Sequence, residues 1–199
     1  MLFKYFDKPE LFTKLRDAET TCDTCGQEKV CFDAESFCGN DNLKSICPEC
    51  LSNGQLKNKN VSTCNGDIEA LKKQLKILNP AFTDMENETI AQQKTTELEK
   101  TTPHLITWQD WNWPCADGDY CKFIGYGSKP LYMELAENEQ VELFFKNSFY
   151  DSNFYEDYLW DELPDKSIDN YIESEQYFTL FYVFKSLNSD KIFTTWDCG

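Results

Sequence analysis

Apolar residues recur at helical spacing between residues 66 and 80. Asp67 stands before the first of them, where its carboxylate can accept a hydrogen bond from the first helical turn, and Pro80 cannot continue a helix. The pattern therefore predicts one helix over residues 66–80 with a single apolar face. That face consists of residues three or four positions apart: Ile68, Leu71, Leu75 and Leu78.

A second strong pattern lies near the C-terminus. Residues 177–184 are almost all aromatic or aliphatic, which is typical of a strand that is buried on both faces. The sequence Asn-Ser-Asp at residues 188–190 predicts a turn, and residues 191–196 then form the predicted partner strand.

The other segments predict less regular structure. Residues 2–16 indicate an extended start followed by a short helix or loop. Residues 83–101 are polar, which fits either an exposed helix or a mobile link. Residues 103–127 are dense in Trp, Cys and Gly and indicate turns and short strands, whereas residues 131–148 indicate a helix or a pair of strands.

Six of the ten cysteines fall within residues 20–52, a segment with little apolar content for a core of its own. Two Cys-x-x-Cys pairs are separated there by 21 residues: Cys22 and Cys25, then Cys47 and Cys50. Two intervening residues let one tight turn direct both sulfurs at one ion, and four thiolates favour tetrahedral zinc with no open position. We therefore predict one structural Zn²⁺ ion in a zinc-ribbon-like module over about residues 18–65.

Three other states use the same cysteine pattern. Two disulfides conflict with the expected cytoplasmic location, which follows from a start of the chain that does not resemble a signal peptide. A thioredoxin-like redox pair needs a βαβ context that the pattern lacks. An iron–sulfur cluster also accepts four cysteines. These alternatives stay open beside zinc.

The remaining cysteines are less ordered along the chain. We interpret Cys115 and Cys121 as small core residues. The alternative is a second metal site that combines them with Asp117, His104 or Cys198, although none of these lies at a telling spacing. Three further thiols are expected to be unligated and buried or half-buried: Cys31, Cys38 and Cys64.

The charge is unevenly distributed. The chain carries 19 basic and 35 acidic side chains, a net charge of −16, and residues 101–199 account for a net −12 of it. This negative charge in the C-terminal half repels a phosphate backbone and attracts a strongly basic protein, so we do not expect nucleic acid as a partner. The most apolar stretch, residues 178–184, is too short to span a bilayer, so we expect a cytoplasmic protein with no membrane partner.

Residues 149–177 interleave nine acidic and eight aromatic side chains with a single lysine. Carboxylates can steer a basic partner and pair with its Lys or Arg side chains, while aromatic rings supply contact area. The alternative for the same pattern is an acidic surface over an aromatic core. The predicted partner-binding surface consists of Glu156, Asp157, Tyr158, Trp160, Asp161 and Glu162.

Enzyme motifs do not stand out. Neither a Gly-rich phosphate loop nor a nucleophile elbow appears, and His104 is the single histidine. A Cys–His nucleophile pair with Cys115 or Cys121 is the formal alternative. The tryptophans at 108, 111 and 113 are interpreted as core residues, above all Trp108 and Trp113, and not as a platform for a base or a sugar.

Several motifs occur in one order between residues 3 and 126: Phe3-Lys4-Tyr5 with Pro9, Cys22-x-x-Cys25-Gly26, Cys47-Pro48-x-Cys50 with Asn53-Gly54, Thr102-Pro103-x4-Trp108-Gln109-x3-Trp113, and Gly118-Asp119-Tyr120-Cys121-x-Phe123-Ile124-Gly125-Tyr126. This combination resembles the CbrC-like family of small bacterial proteins. The family is largely uncharacterised and is named after a member associated with tolerance to a nuclease colicin. The resemblance implies a bacterial protein without established enzyme chemistry, and it is faint in the C-terminal third.

The chain departs from the family pattern in two places. A His-Cys pair precedes the Gly-Asp motif in the family, whereas Ala116 and Asp117 stand there in this chain and Cys115 lies two residues early. Family members also tend to carry a further Cys-x-x-Cys near the C-terminus, and the corresponding stretch, residues 183–186, has none. A second metal site built from those groups would be lost or rebuilt in this chain.

Together, the patterns predict an α+β protein in which the zinc-ribbon-like N-terminal module packs on an aromatic-rich mixed α/β part. We divide the chain into an N-terminal region (1–80), a polar connection (81–101) and an acidic C-terminal part (102–199). The predicted function is that of a non-catalytic zinc protein that binds a basic protein, with immunity against a nuclease-type toxin as its concrete form. The alternatives are a regulatory zinc ribbon that contacts nucleic acid or the transcription machinery, and an enzyme of unrecognised type.

Overall fold

The computed structural model describes residues 3–39, 42–137 and 140–199, and there it has the mixed α+β fold that the sequence predicts. None of the helices in these ranges is long and apolar enough to cross a membrane. Short 3-10 turns span Gln55–Asn58 and Ser152–Phe154. The described helices are α1 (Pro9–Phe12), α2 (Pro48–Ser52), α3 (Ile68–Leu78), α4 (Asp84–Thr101), α5 (Lys129–Leu135), α6 (Val141–Asn147), α7 (Leu159–Glu162) and α8 (Tyr171–Ser174).

The strands are mostly two residues long and form two-stranded ladders: β1–β2, β3–β5, β4–β6, β9–β10 and the parallel pair β7–β8. One larger antiparallel sheet has the strand order β11-β12-β13. The described strands are β1 (Thr20–Thr21), β2 (Glu28–Lys29), β3 (Phe32–Asp33), β4 (Cys38–Gly39), β5 (Ser45–Ile46), β6 (Val61–Ser62), β7 (Asn65–Gly66), β8 (Asn112–Trp113), β9 (Cys115–Ala116), β10 (Asp119–Tyr120), β11 (Lys122–Tyr126), β12 (Thr179–Lys185) and β13 (Ile192–Cys198).

The C-terminal hairpin confirms the strand prediction. Strand β12 pairs with β13 from Thr179 opposite Cys198 to Lys185 opposite Ile192, and it is the central strand of its sheet. Because successive side chains of a strand point to opposite faces, β12 can enter two separate hydrophobic clusters. Leu180, Tyr182 and Phe184 belong to the first cluster, and Phe181 and Val183 belong to the second.

The first cluster joins the start of the chain to the sheet. The backbone N–H of Asp7 donates to the carbonyl of Phe123, and the N–H of Phe123 donates to the carbonyl of Tyr5, both at 2.9 Å. The ring centroids of Phe6 and Phe123 are 5.0 Å apart, and the Phe123 ring lies edge-on to Phe184. Residues from both ends of the chain therefore share one core.

Helices α3 and α4 pack against each other beside this core. The Asp67 carboxylate accepts a hydrogen bond from the backbone N–H of Ala70, as expected for the N-terminal cap of α3. Residues 83–101, for which the sequence left two forms open, form helix α4 with Thr83 as its N-terminal cap. The Lys94 Nζ lies 2.6 Å from the Asp119 carboxylate, and the Thr95 hydroxyl lies 2.8 Å from the Tyr120 hydroxyl, so α4 also contacts β10.

Trp108 departs from the prediction that it lies in the core. Its side chain is 49% exposed, whereas Trp113 is buried. The backbone N–H groups of Trp108 and Gln109 both donate to the carboxylate of Asp197, at 3.0 and 3.1 Å. This contact is made with strand β13, almost ninety residues away in the sequence, so the local pattern gives no sign of it.

The second cluster offers a direct test of packing. Phe145 of α6 is fully buried, and its ring lies 4.9 Å from that of Tyr132 and 5.1 Å from that of Phe149. We expect Phe145→Ala to lower the free energy of unfolding by about 3–5 kcal/mol, because it removes a buried ring and leaves a cavity. Leu143→Ala on the same helix is the control, since Leu143 is 51% exposed and its loss should cost about 0.5 kcal/mol or less. Equal losses in chemical denaturation would contradict this assignment.

Candidate metal centre

The two Cys-x-x-Cys pairs come together in the structure. The Sγ atoms of Cys22, Cys25, Cys47 and Cys50 all lie within 4.8 Å of one another. Among the described residues, this is the one group of three or more His, Cys, Asp or Glu side chains that is arranged to hold a metal ion. Cys22 and Cys47 are fully buried, Cys50 is nearly so and Cys25 is exposed.

The first pair lies in the turn of the β1–β2 hairpin. The N–H of Cys22 donates to the carbonyl of Gln27 at 2.9 Å, and the N–H of Gly26 donates to the carbonyl of Cys22 at 2.8 Å. Gly26 has a φ of 72°, in the left-handed region that glycine adopts without steric cost. The tight turn therefore requires the glycine that follows the second cysteine.

The second pair lies at the start of α2. Cys47 is the N-terminal cap residue of this helix, and Pro48 occupies the first helical position, where a missing N–H costs nothing. The N–H of Cys47 donates to the Sγ of Cys22 at 3.3 Å, which links the two pairs directly. The beginning of the helix thus sets the direction of both Cys47 and Cys50.

Asp23, between the two cysteines of the first pair, fixes the hairpin on the second pair. Its carboxylate accepts hydrogen bonds from the backbone N–H groups of Lys44 and Ser45, at 2.7 and 2.9 Å. Its own N–H donates to the carbonyl of Ser45 at 3.0 Å. Sequence reasoning did not single out Asp23. The sequence feature that could have indicated this role is the position of Asp23 in the turn between two cysteines. An aspartate there can accept hydrogen bonds from the backbone of the segment that carries the second pair.

Hydrogen bonding favours the ionised form of one buried sulfur. Burial disfavours the Cys22 thiolate, but donation from the N–H groups of Cys47, Cys25 and Thr24 outweighs it and lowers the pKa of Cys22 to about 6. Burial raises the pKa of Cys50. A bound cation would stabilise the thiolate form of all four ligands.

The nearby Cys31 is not a fifth ligand. Its Sγ lies 3.7 Å from the carbonyl of Thr20, to which the thiol can donate. Burial, together with the neighbouring Cys22 and Cys47 sulfurs, raises the pKa of Cys31 to about 12. It is therefore a neutral thiol beside the cluster, as the sequence predicts for an unligated buried cysteine.

The cluster fits a tetrahedral metal. Four sulfurs at a zinc–sulfur distance of about 2.3 Å would be about 3.8 Å apart, which the observed spacing accommodates with small side-chain adjustments. Four thiolates fill the coordination sphere and leave no position for a substrate or water. The donor set therefore suits a structural ion.

The residues of the alternative second metal site have other partners. The Asp117 carboxylate accepts hydrogen bonds from Ser189 at 2.6 Å, Ser186 at 2.8 Å and Lys191 at 2.9 Å. These hydrogen bonds lower the pKa of Asp117 to about 2, and the one from Ser189 has the largest effect. Cys115 lies 3.3 Å from the hydroxyl of Tyr150. The structure does not bring Asp117 together with Cys115 and Cys121 in a metal-type cluster.

The Cys121 thiol is fully buried, and its carbonyl accepts a hydrogen bond from the Trp113 indole at 2.8 Å. The ring of His104 is bound through Nδ1 to the carbonyl of Thr63 at 2.8 Å, and burial lowers its pKa. Cys38 is exposed, so the prediction that it is buried or half-buried is wrong. It lies on β4, whose partner strand among the described residues is β6. Cys64 is half-buried, as predicted.

The predicted partner-binding residues lie at the surface. Five of the six are exposed, and Trp160 is half-buried against the second cluster. One further aromatic residue of this segment, Phe154, is 65% exposed, and Tyr158 is 52% exposed. The structure thus presents acidic and aromatic groups together on one segment.

Comparison with known proteins gives one family. Residues 1–198 match the profile of an uncharacterised protein family, UPF0167. The match is consistent with the resemblance to the CbrC-like family, and it extends through the C-terminal third, where that resemblance is faint. No solved structure matches the chain.

Two exposed cysteines, one inside and one outside the cluster, test the candidate metal centre. Cys25→Ser removes one ligand of the cluster, whereas Cys38→Ser removes an exposed thiol outside it. After dialysis against a chelator, we expect native mass spectrometry to find one zinc per chain in the parent and in Cys38→Ser, and a strongly reduced zinc content in Cys25→Ser. Retention of zinc in Cys25→Ser at the parent level would contradict the assignment.

Proposed function

We propose that this chain, which belongs to the uncharacterised protein family UPF0167, is a non-catalytic zinc protein that binds a basic protein through its acidic surface. The zinc ion is held by Cys22, Cys25, Cys47 and Cys50 and has a structural role. The partner surface is formed by the segment from residue 149 to residue 177. Immunity or tolerance against a nuclease-type bacterial toxin is the concrete form of this function.

Uncompensated charge on the proposed surface is the observation that carries the proposal. Glu156, Asp161 and Glu162 are exposed and form no ion pair within the part of the chain that the structure describes. Asp157 has Lys146 at 3.7 Å, and its side chain is 96% exposed. Carboxylates without a cation nearby keep their full attraction for the Lys and Arg side chains of a partner.

Exposed aromatic rings supply the second part of the surface. The Phe154 and Tyr158 side chains are 65% and 52% exposed, on either side of Glu156 and Asp157 in the sequence. Aromatic residues such as Tyr are enriched among the positions that contribute most binding energy in protein interfaces, where the partner covers them. This combination favours a protein partner over a solvated surface without a partner.

The toxin hypothesis follows from charge complementarity together with the CbrC-like resemblance. A nuclease has a basic surface that binds a polyanion, and an acidic protein can cover that surface. The net −12 of residues 101–199 would also accelerate the encounter with such a partner.

A matched pair of triple variants tests the proposed surface. The first is Glu156→Gln/Asp161→Asn/Glu162→Gln, and the second, with the same change in charge, is Glu10→Gln/Asp17→Asn/Glu19→Gln at exposed positions elsewhere. The probe is the nuclease domain of a nuclease colicin, and association is measured by biolayer interferometry at low and physiological salt. We expect the first variant to associate about tenfold more slowly and the second to change much less, because local charge directs docking.

Two outcomes would contradict the proposal. Equal effects of the two triple variants would show that only the net charge matters and that no docking surface exists at residues 156–162. Failure of the parent chain to bind the nuclease domain, together with failure to protect a colicin-sensitive strain, would remove the toxin-immunity form.

A further inference from the structure

A cavity of about 510 Å³ opens beside strand β13 and away from the cysteine cluster. Its walls come from Asp67 and from three further segments: residues 109–112, residues 149–151 together with Phe154, and residues 194–198. The volume lies in the range of sites for small molecules. Neither the metal centre nor the predicted acidic residues 156–162 line it.

Five aromatic residues line the cavity, and contacts with neighbouring residues hold three of their rings in place. The Trp196 indole donates to the carbonyl of Phe154 at 2.8 Å. The Trp111 indole donates to the Asp197 carboxylate at 3.3 Å and packs 5.2 Å from the Tyr182 ring. The Tyr150 ring lies edge-on to Phe193. The aromatic faces are therefore positioned before any ligand binds.

The charge in the cavity is of one sign. No lysine or arginine lines the cavity, whereas four aspartates do: Asp67, Asp110, Asp151 and Asp197. Asp67 caps α3, and Asp197 accepts hydrogen bonds from Trp108, Gln109, Trp111 and Tyr182. None of the four has a cationic partner among the described residues, although most lysines of the chain are paired with other acids.

We propose that this cavity binds a small organic cation with an alkylammonium or guanidinium head group. Aromatic faces attract such a cation through their quadrupoles, and nearby carboxylates add an attraction that a neutral ligand would not feel. The exposed Asp110 and Asp151 are the carboxylates that can approach a ligand, because Asp197 is buried and occupied by its donors. The inference does not depend on the proposed protein partner.

Choline and its neutral carbon isostere are the first probes. The two ligands have nearly the same shape, but only choline carries a positive charge. We expect choline to quench the tryptophan fluorescence of the full chain saturably, since Trp111 and Trp196 line the cavity. The isostere should bind at least about tenfold more weakly, because it lacks the charge that the aromatic faces and carboxylates attract.

Two conservative variants connect that binding to the cavity. Asp110→Asn and Asp151→Asn each remove one negative charge, and Asn at residue 151 keeps an oxygen that can accept the hydrogen bond from Asn153. We expect each to weaken choline binding by about threefold to tenfold. Asp17→Asn is the control, since Asp17 is exposed and does not line the cavity. Circular dichroism of each variant verifies that the fold is intact.

Three results would overturn the inference. The first is equal affinity for choline and its isostere, which would indicate an apolar cavity without charge selectivity. The second is unchanged choline binding in both Asp110→Asn and Asp151→Asn. The third is an absence of saturable binding of both choline and methylguanidinium. If an arginine-containing peptide then binds and Asp110→Asn weakens that binding, the cavity belongs to a protein partner.

Discussion

The four cysteine sulfurs within 4.8 Å of one another are the constraint on which the N-terminal region depends. The strands of this region are two residues long, so their backbone ladders fix little by themselves. The sulfur cluster joins the β1–β2 hairpin to the start of α2, and Asp23 repeats the connection through the backbone of Lys44 and Ser45. Thiolates this close repel each other unless a cation is shared, so a bound metal would contribute directly to folding.

Strand β12 has the corresponding role in the C-terminal part. Its alternating side chains belong to two aromatic clusters, one of which contains Cys22 and Cys47 together with Phe6, Trp113 and Phe184. Asp197 on the neighbouring β13 then fixes the backbone at Trp108 and Gln109, which brings one wall of the cavity into position. The cysteine cluster is thus continuous with the main core.

The sequence predicted best what is encoded by local spacing. Helix α3, the β12–β13 hairpin and the two Cys-x-x-Cys pairs all follow from residues a few positions apart. Polar helix α4 could not be distinguished from a link, because its burial depends on contacts such as Thr95 with Tyr120, which only the folded chain creates. The exposure of Trp108 and the cavity beside it depend on Asp197, almost ninety residues away, and no local pattern carries that information.

The most direct test of the central claim is X-ray absorption at the zinc edge of the protein purified without added metal. The proposed centre predicts four sulfur scatterers at about 2.3 Å and no nitrogen or oxygen in the first shell. A first shell with mixed nitrogen, oxygen and sulfur scatterers, or a protein that contains no zinc, would contradict a closed centre formed by Cys22, Cys25, Cys47 and Cys50.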